Sequence, residues 1–261
     1  AGAALDPNAG GNQRKNMVQA VEASLKRLGT DYIDLYWLHI WDALTPAEEV
    51  MRAFDDLVRA GKVLYVGISD APAWVVAKSN TLAGLRGWTP YVGLQIEYSL
   101  LERTVERELL PMAADFGLSV VAWSPLRGGV LSGKYLPENA ASGADGRMNT
   151  PMMKGFGTDV GAADAVVRET AAVANELGRS AAQVALAWLR GRPAPVIPIL
   201  GASKLTQFED NLGSLDVALS AEQRDRLDRV SAVPLGFPHD FYQNDAVRAM
   251  LYGGTRDRLH A

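Results

Sequence analysis

Apolar residues along the chain alternate between helical spacing and short continuous runs. In the first segment they recur at i, i+4, i+8 and i+11, at Met17, Val21, Leu25 and Leu28. This spacing predicts a helix, and Gly29 stands where a left-handed residue commonly ends one. Residues 32–40 follow as a mostly apolar run, which is typical of a strand buried on both faces.

The same alternation continues to residue 231 and predicts a parallel sheet built from βα units. Five buried strands are predicted, at residues 32–40, 63–69, 92–98, 119–125 and 195–200. Helices are predicted from Ala47 to about Val58 and near 73–84, 104–116, 162–177, 180–190, 204–213 and 221–231. Residues 45–48 and 220–223 have the sequence of capping boxes, in which side chains satisfy free N–H groups at a helix start.

Alternating strands and helices of this kind predict an α/β fold of the β/α (TIM-type) barrel class. A closed barrel needs eight strands, and five are recognisable. Because the sequence opens with a helix, we expect the first three strands, roughly 80 residues, to be lacking at the N-terminus. Residues 1–261 then form a single barrel domain whose unpaired edge strands would favour a homo-oligomer.

Composition and charge exclude several classes of function. The chain has 26 basic and 30 acidic residues, a net charge of -4 and no basic stripe, so nucleic acid is not expected as a partner. It contains no cysteine, which excludes disulfides and thiolate metal sites. No run approaches the roughly 20 apolar residues of a membrane helix, and the N-terminus lacks the apolar core of a signal peptide. We therefore expect a soluble, cytoplasmic protein without a membrane partner.

Polar residues stand at the end of every predicted strand, where the chemistry of a β/α barrel is found. They are His39, Ser69, Asp70, Gln95, Glu97, Trp123, Ser124 and the run 201–204. Any one of them alone can be explained as a core or capping residue, and for His39 alone that explanation is the favoured one. Five converging strand ends favour a binding site.

Residues 201–204, Gly-Ala-Ser-Lys, lie between the last predicted strand and a helix. Free backbone N–H groups and the Lys204 charge suit a phosphate at this place. An ordinary helix cap at Ser203 is the alternative. Gln207, Asp210 and Asn211 are predicted on the same helical face, which favours a ligand with several polar groups.

Six ordered segments resemble the aldo-keto reductase family over residues 12–231. They are LYWLHIWD, GKVLYVGISD, GLQIEYSLLER, VVAWSPLRGGVLSGKY, GRSAAQVALAWL and ILGASKLTQFEDNLG. Trp123 and the last of these segments are most similar to the bacterial branch that also resembles potassium-channel β subunits. The resemblance implies a TIM-type barrel, the cofactor NADP, and reduction of small aldehydes or ketones to alcohols by hydride transfer.

The resemblance also implies a role for individual residues. His39 would be catalytic and orient the substrate carbonyl. The nicotinamide carboxamide would be held by Ser69, Asp70 and Gln95, and Trp123 would stack on the nicotinamide ring. The pyrophosphate and the covering loop would be lined by Ser124, Leu126, Gly128, Lys134 and Arg147. The adenosine 2′-phosphate would be bound by Gly201, Ser203, Lys204, Gln207, Asp210 and Asn211. No metal is implied.

Two departures from the family pattern limit what the resemblance implies. Asp70 replaces the usual asparagine or arginine. The family's tyrosine proton donor, with its lysine and aspartate, belongs to the early strands that were not found; Tyr36, Tyr65 and Lys62 lie in or before strands, away from the C-terminal rim. The alternatives to a reductase are a non-catalytic NADP-binding or regulatory module, or an inactive truncated fragment.

Overall fold

The computed structural model describes residues 6, 8–136, 139, 150 and 163–259. Five strands form one parallel sheet in the order β1-β2-β3-β4-β5. They are β1 (Ile33–Leu38), β2 (Val63–Ser69), β3 (Tyr91–Glu97), β4 (Ser119–Trp123) and β5 (Val196–Pro198). The prediction of five parallel strands in chain order is confirmed. Among the described residues, β1 pairs with β2 alone and β5 with β4 alone, so a closed barrel and self-association stay predictions.

Helices follow or separate the strands as the sequence predicts. In the described ranges the α-helices are α1 (Arg14–Leu28), α2 (Ala47–Arg59), α3 (Ala73–Arg86), α4 (Leu109–Asp115), α5 (Asp164–Leu177), α6 (Ala181–Arg190), α7 (Leu205–Leu212), α8 (Ala221–Val230), α9 (His239–Gln243) and α10 (Asp245–Tyr252). Short 3-10 turns cover Thr104–Glu106, Arg127–Ser132, Gly213–Asp216 and Arg256–Arg258. None of the helices in these ranges has the length and apolar character needed to span a membrane.

Three local predictions are corrected by the structure. The helix predicted over 104–116 is broken before α4, because Pro111 cannot donate the backbone hydrogen bond that would continue a helix from the preceding turn. The capping box predicted at residues 45–48 does not form, because Pro46 and not Thr45 is the N-cap of α2; the Thr45 hydroxyl donates to Asp42 at 2.7 Å. Leu28 is exposed rather than part of the apolar face of α1.

Other predicted helix ends are confirmed. Gly29 ends α1 with φ 67°, and its N–H donates to the Leu25 carbonyl. Ser220 and Gln223 form the predicted capping box at the start of α8. These local motifs fix where α1 ends and where α8 begins.

A tryptophan lies across two glycines on one face of the sheet. Trp37, Gly67 and Gly93 occupy one row of adjacent strands, because Trp37 pairs with Gly67 and Gly67 with Gly93. A Cβ atom at Gly67 would lie 2.4 Å from the Trp37 ring, and one at Gly93 would lie 2.9 Å from it. The ring can lie there only because both residues are glycines. The side of the sheet on which Trp37, Gly67 and Gly93 lie is called the tryptophan face.

The opposite face is covered by helices. Ile68 and Leu94 are fully buried, and Phe54 of α2 makes edge contacts with Tyr36 of β1 and Tyr91 of β3 at centroid distances of 6.5 Å and 5.9 Å. Burial of such large rings stabilises the fold through the area they remove from water and through their edge-to-face geometry. The helix layer thus fixes the sheet from one side and leaves its strand ends free for chemistry.

A buried ion network fastens α8 to the segment that follows β3. Arg103 is 7% exposed and donates to Glu106 at 2.8 Å and 2.9 Å, to the Ser231 hydroxyl at 2.8 Å and to the Asp228 carbonyl at 2.9 Å. Burial alone would raise the pKa of Glu106, but hydrogen bonds from Arg103 and Tyr98 outweigh it and lower that pKa. The segment carrying Glu106 is therefore held as a charged, fully paired unit.

The contact between Trp37 and the glycine row gives a stability prediction. Gly67→Ala should lower the free energy of unfolding by about 1–3 kcal/mol, because the added Cβ overlaps the indole and the sheet must shift to admit it. Urea denaturation measures the change. Gly84→Ala is the control: nothing lies within 4 Å of its Cβ, so the substitution in α3 should stabilise by about 0.5–1 kcal/mol. An unchanged midpoint for Gly67→Ala would contradict the close contact.

Candidate functional site

Parallel pairing brings the predicted strand-end residues to one edge of the sheet. Leu38, which precedes His39, pairs with Ile68, and Ser69 pairs with Gln95. One layer further on, Glu97 pairs with Trp123. His39, Ser69, Gln95 and Trp123 therefore lie on four adjacent strands at their C-terminal ends, as the sequence predicts.

These four residues also share one face. Side chains alternate along a strand, so residues two positions apart point to the same side. His39 follows Trp37 by two, Ser69 follows Gly67 by two and Gln95 follows Gly93 by two, which places all three above the glycine row on the tryptophan face. The small glycines and the flat indole thus form the floor beneath a polar layer.

A hydrogen bond links the end of β2 to the end of β4 across β3. The Trp123 indole Nε1–H donates to Asp70 Oδ1 at 2.9 Å, and the Ser69 hydroxyl donates to Asp70 Oδ2 at 3.2 Å. The Asp70 backbone N–H donates to the Gln95 carbonyl at 3.2 Å. Asp70 has φ 48°, a left-handed conformation that aspartate tolerates better than most residues. The turn after β2 therefore orients the edge of the Trp123 ring.

Glu97 forms an ion pair that sequence reasoning missed. It lies two residues beyond Gln95 on the same face, and its carboxylate meets the guanidinium of Arg127 from the turn after β4. Burial raises the pKa of Glu97, Arg127 opposes that rise, and Glu102 and Asp70 add to it. Period-two alternation could have placed Glu97 on this face, but the sequence carries no pattern that pairs it with Arg127, thirty residues away.

The turn after β4 is suited to a negatively charged group. Gly128 and Gly129 have φ of 63° and 91°, and Lys134 folds back over them, with its Nζ 2.9 Å from where a Cβ of Gly129 would stand. Ser124 starts the turn with φ 50°, and Leu126 packs against the core. The ammonium group of Lys134 brings a positive charge to this glycine turn. Arg147, predicted to line the covering loop, lies outside the described residues.

The segment after β5 holds the residues predicted at the 2′-phosphate. Gly201 and Lys204 are exposed, and Lys204 stands at the N-cap of α7. Both the N–H and the hydroxyl of Ser203 donate to Gln207 Oε1, at 3.1 Å and 3.2 Å. The Gln207 carboxamide oxygen thus occupies the donors that an anion would use, and an anion would have to replace it.

Of the two further residues predicted there, Asp210 has structural partners and Asn211 is buried. The Asp210 carboxylate accepts from Ser180 at 2.8 Å and from Gln183 at 3.0 Å, and so joins the start of α6 to α7. Asn211 is 5% exposed. Their cofactor roles stay predictions, and the contacts of Asp210 show that it also has a role in the fold.

Asp42 fixes the loop that follows His39. Its carboxylate accepts from the N–H groups of Asn12, Leu44 and Thr45 and from the Thr45 hydroxyl, at 2.6–2.9 Å. Burial would raise the pKa of Asp42, but these hydrogen bonds outweigh it and lower that pKa to about 2. The loop beside His39 is thereby attached to the segment that leads into α1.

Comparison with known proteins identifies the family of this arrangement. The sequence model of the Aldo/keto reductase family matches residues 3–232. A probable aryl-alcohol dehydrogenase of Saccharomyces cerevisiae is 34% identical over 237 residues, which are 90% of this chain and 71% of that protein. An aryl-alcohol dehydrogenase [NADP(+)] of Phanerodontia chrysosporium is 35% identical over 88% of this chain and 60% of its own length.

A third relative is named as a reductase. Norsolorinic acid reductase of Emericella nidulans is 39% identical over 239 residues, or 91% of this chain. The chain covers 58% of that relative's length. Similarity to the potassium-channel branch in particular stays a prediction.

The low pKa of Asp42 predicts a pH-dependent contribution to stability. A carboxyl whose pKa is lower when folded stabilises above its unfolded pKa of about 4, and the contribution is lost as pH falls through about 2. Asp42→Asn should therefore lower the free energy of unfolding by about 1–2 kcal/mol at pH 6, with the difference from the parent shrinking toward pH 2. Thermal unfolding at several pH values measures it.

Asp34→Asn, at an exposed position of β1, is the matched control and should change stability by less than about 0.5 kcal/mol. A gap between the parent and Asp42→Asn that stays the same from pH 6 to pH 2.5 would mean that ionised Asp42 does not hold the loop.

Proposed function

The chain belongs to the Aldo/keto reductase family, and on that premise we propose that it is an NADPH-dependent oxidoreductase that reduces aldehydes or ketones to alcohols. The observation that carries the proposal is the polar layer of His39, Ser69, Gln95 and Trp123 at four adjacent strand ends. The names of the relatives, one of which includes NADP(+), support both the chemistry and the cofactor.

The strand ends fit a nicotinamide. Trp123 offers an indole face whose edge is held by Asp70, and a flat ring is suited to stacking. Ser69 and Gln95 supply a hydroxyl and a carboxamide side by side, which match the donor and acceptor of the nicotinamide carboxamide. Gly67 and Gly93 carry no side chain, so the Trp37 ring fills the layer beneath at β2 and β3.

The loops after β4 and β5 fit the phosphates. The glycine turn covered by Lys134 suits a pyrophosphate, and Lys204 with the donors of Ser203 suits a 2′-phosphate. Gln207 already accepts from those donors, so the exchange of a neutral amide oxygen for a phosphate would strengthen both hydrogen bonds. A cofactor without the 2′-phosphate would gain nothing from this exchange.

His39 is the residue of the layer that could act on the substrate. It is exposed at the end of β1, on the tryptophan face, and its imidazole can donate a hydrogen bond to a carbonyl oxygen. A bound nicotinamide would supply the hydride that a carbonyl carbon accepts, and the alkoxide oxygen so formed would take its proton from the water that reaches the exposed end of β1. Polarisation of the carbonyl by His39 would make that carbon more electrophilic.

Turnover is the direct test of this function. With NADPH and an aromatic aldehyde, the chain should consume NADPH, followed by its absorbance, at a rate that depends on aldehyde concentration. His39→Ala should lower kcat/KM by about 100-fold while NADPH still binds, because the variant loses the carbonyl hydrogen bond. His239→Ala in α9 changes a histidine whose side-chain partners are Glu108 and Tyr242, outside the polar layer, and should have less than about a twofold effect. Binding of NADPH without aldehyde-dependent consumption would contradict a reductase and favour a cofactor-binding module.

Cofactor preference tests the phosphate site separately. NADPH should bind more tightly than NADH, and Lys204→Ala should weaken NADPH binding by about 1–2 kcal/mol with NADH nearly unchanged, since only NADPH carries the paired phosphate. Isothermal titration measures both. Lys26→Ala, in the last turn of α1, removes the same charge elsewhere and should change neither affinity. Equal affinity for the two cofactors would contradict the assignment of Ser203, Lys204 and Gln207.

A further inference from the structure

Asp70 is a carboxylate bound only by neutral donors in the part of the chain that the structure describes. The Trp123 indole N–H binds one oxygen and the Ser69 hydroxyl binds the other. In the described ranges no lysine, arginine or histidine nitrogen lies within 4.0 Å of it. The carboxylate is also exposed at the strand ends. Asp70 thus brings a negative charge to the polar layer, and the described side chains do not neutralise it.

The neighbouring charged groups do not neutralise the negative charge of Asp70. Glu97 is paired with Arg127, so those two groups cancel each other. Glu102 lies across a cleft of about 290 Å³ that Asp70 also lines, and it accepts from the N–H of Thr104 and from the Thr104 hydroxyl. His39 is the remaining titratable group of the layer, and no ion pair among the described residues joins it to Asp70. The layer is therefore complementary to a ligand with a positive group.

The oxidised and reduced forms of a nicotinamide cofactor differ by one positive charge on the ring. We propose that Asp70 is a specificity-determining residue which shifts the cofactor site toward the oxidised form. The inference depends on the proposed function, because it requires the nicotinamide ring to stack on Trp123. The indole is bonded directly to Asp70, so a ring stacked on it lies beside the carboxylate, within reach of a Coulombic interaction.

A positioning role is the competing explanation, and one substitution separates the two. Asp70→Asn removes the charge but keeps an oxygen that can accept from Trp123, and asparagine tolerates φ 48° as well as aspartate does. A residue that only positions Trp123 would affect both cofactor forms alike. A residue that acts through its charge affects the oxidised form selectively.

The experiment measures the dissociation constants of NADP⁺ and NADPH by isothermal titration at pH 7 for the 261-residue chain and its variants. Asp70→Asn should raise the Kd for NADP⁺ by about three- to tenfold, with NADPH unchanged or bound slightly more tightly, as expected for one partly screened charge pair. Asp70→Gly, which is unstrained at positive φ, also removes the charge and should change the ratio of the two constants in the same direction. Glu102→Gln removes a carboxylate from the same cleft without touching Trp123 and should change the ratio by less than about twofold.

The other outcomes overturn the inference in distinguishable ways. Equal weakening of both forms by Asp70→Asn would show that Asp70 only positions Trp123, while the proposed function would stand. An equal change of the ratio by Glu102→Gln would show a general effect of negative charge and not one specific to Asp70. Failure of the parent chain to bind either form would overturn the proposed function itself, and this inference with it.

Discussion

The contact of the Trp37 indole with Gly67 and Gly93 is the constraint on which the candidate site depends. The ring covers positions on two neighbouring strands that admit no side chain, so β1, β2 and β3 can pair in one register only. A slip of one residue would turn every side chain of a strand to the opposite face. It would bury His39 or Ser69 against the helices and would bring Val66 or Ile68 to the tryptophan face. The position of the polar layer therefore depends on the strand register that Trp37 and the two glycines fix in the row below it.

Left-handed turns at the strand ends do the rest of the positioning. Asp70, Ser124 and Arg127 have φ near 50°, an unusual conformation for residues that are not glycine. Such turns let the chain fold back over the edge of the sheet at once, instead of continuing along the strand direction. Asp70 is thereby brought to Trp123 and Arg127 to Glu97. The first contact spans β3 and the second joins the end of β3 to the turn after β4, so the ends of β2, β3 and β4 are cross-linked instead of forming three separate loops.

The sequence predicts these features to very different degrees. Helices and strands follow from periodicity, since apolar spacing alone distinguishes a helix face from a buried strand, and strand-end chemistry follows from parallel pairing. The bond between Asp70 and Trp123 joins residues 53 positions apart, and no local pattern encodes it. The capping box predicted at Thr45 fails because the helix begins one residue later than the motif requires. Pro46 is the N-cap of α2, and Thr45 lies before it, bonded to Asp42 through its N–H and its hydroxyl.

The charges of the site are separated along the row of strand ends, and this separation has a consequence for what the site can hold. Asp70 and the Glu97–Arg127 pair lie at β2 to β4, whereas Lys134 and Lys204 lie in the loops after β4 and β5. The chain as a whole has a net charge of -4. The positive charges of Lys134 and Lys204 are therefore a local property of these two loops and not an average property of the chain. A dinucleotide has the matching arrangement, with an aromatic ring that is cationic when oxidised at one end and phosphates at the other. A site of one sign throughout would hold the phosphates but repel the oxidised ring. In the proposed function, opposite signs at the two ends would let both parts bind in one orientation.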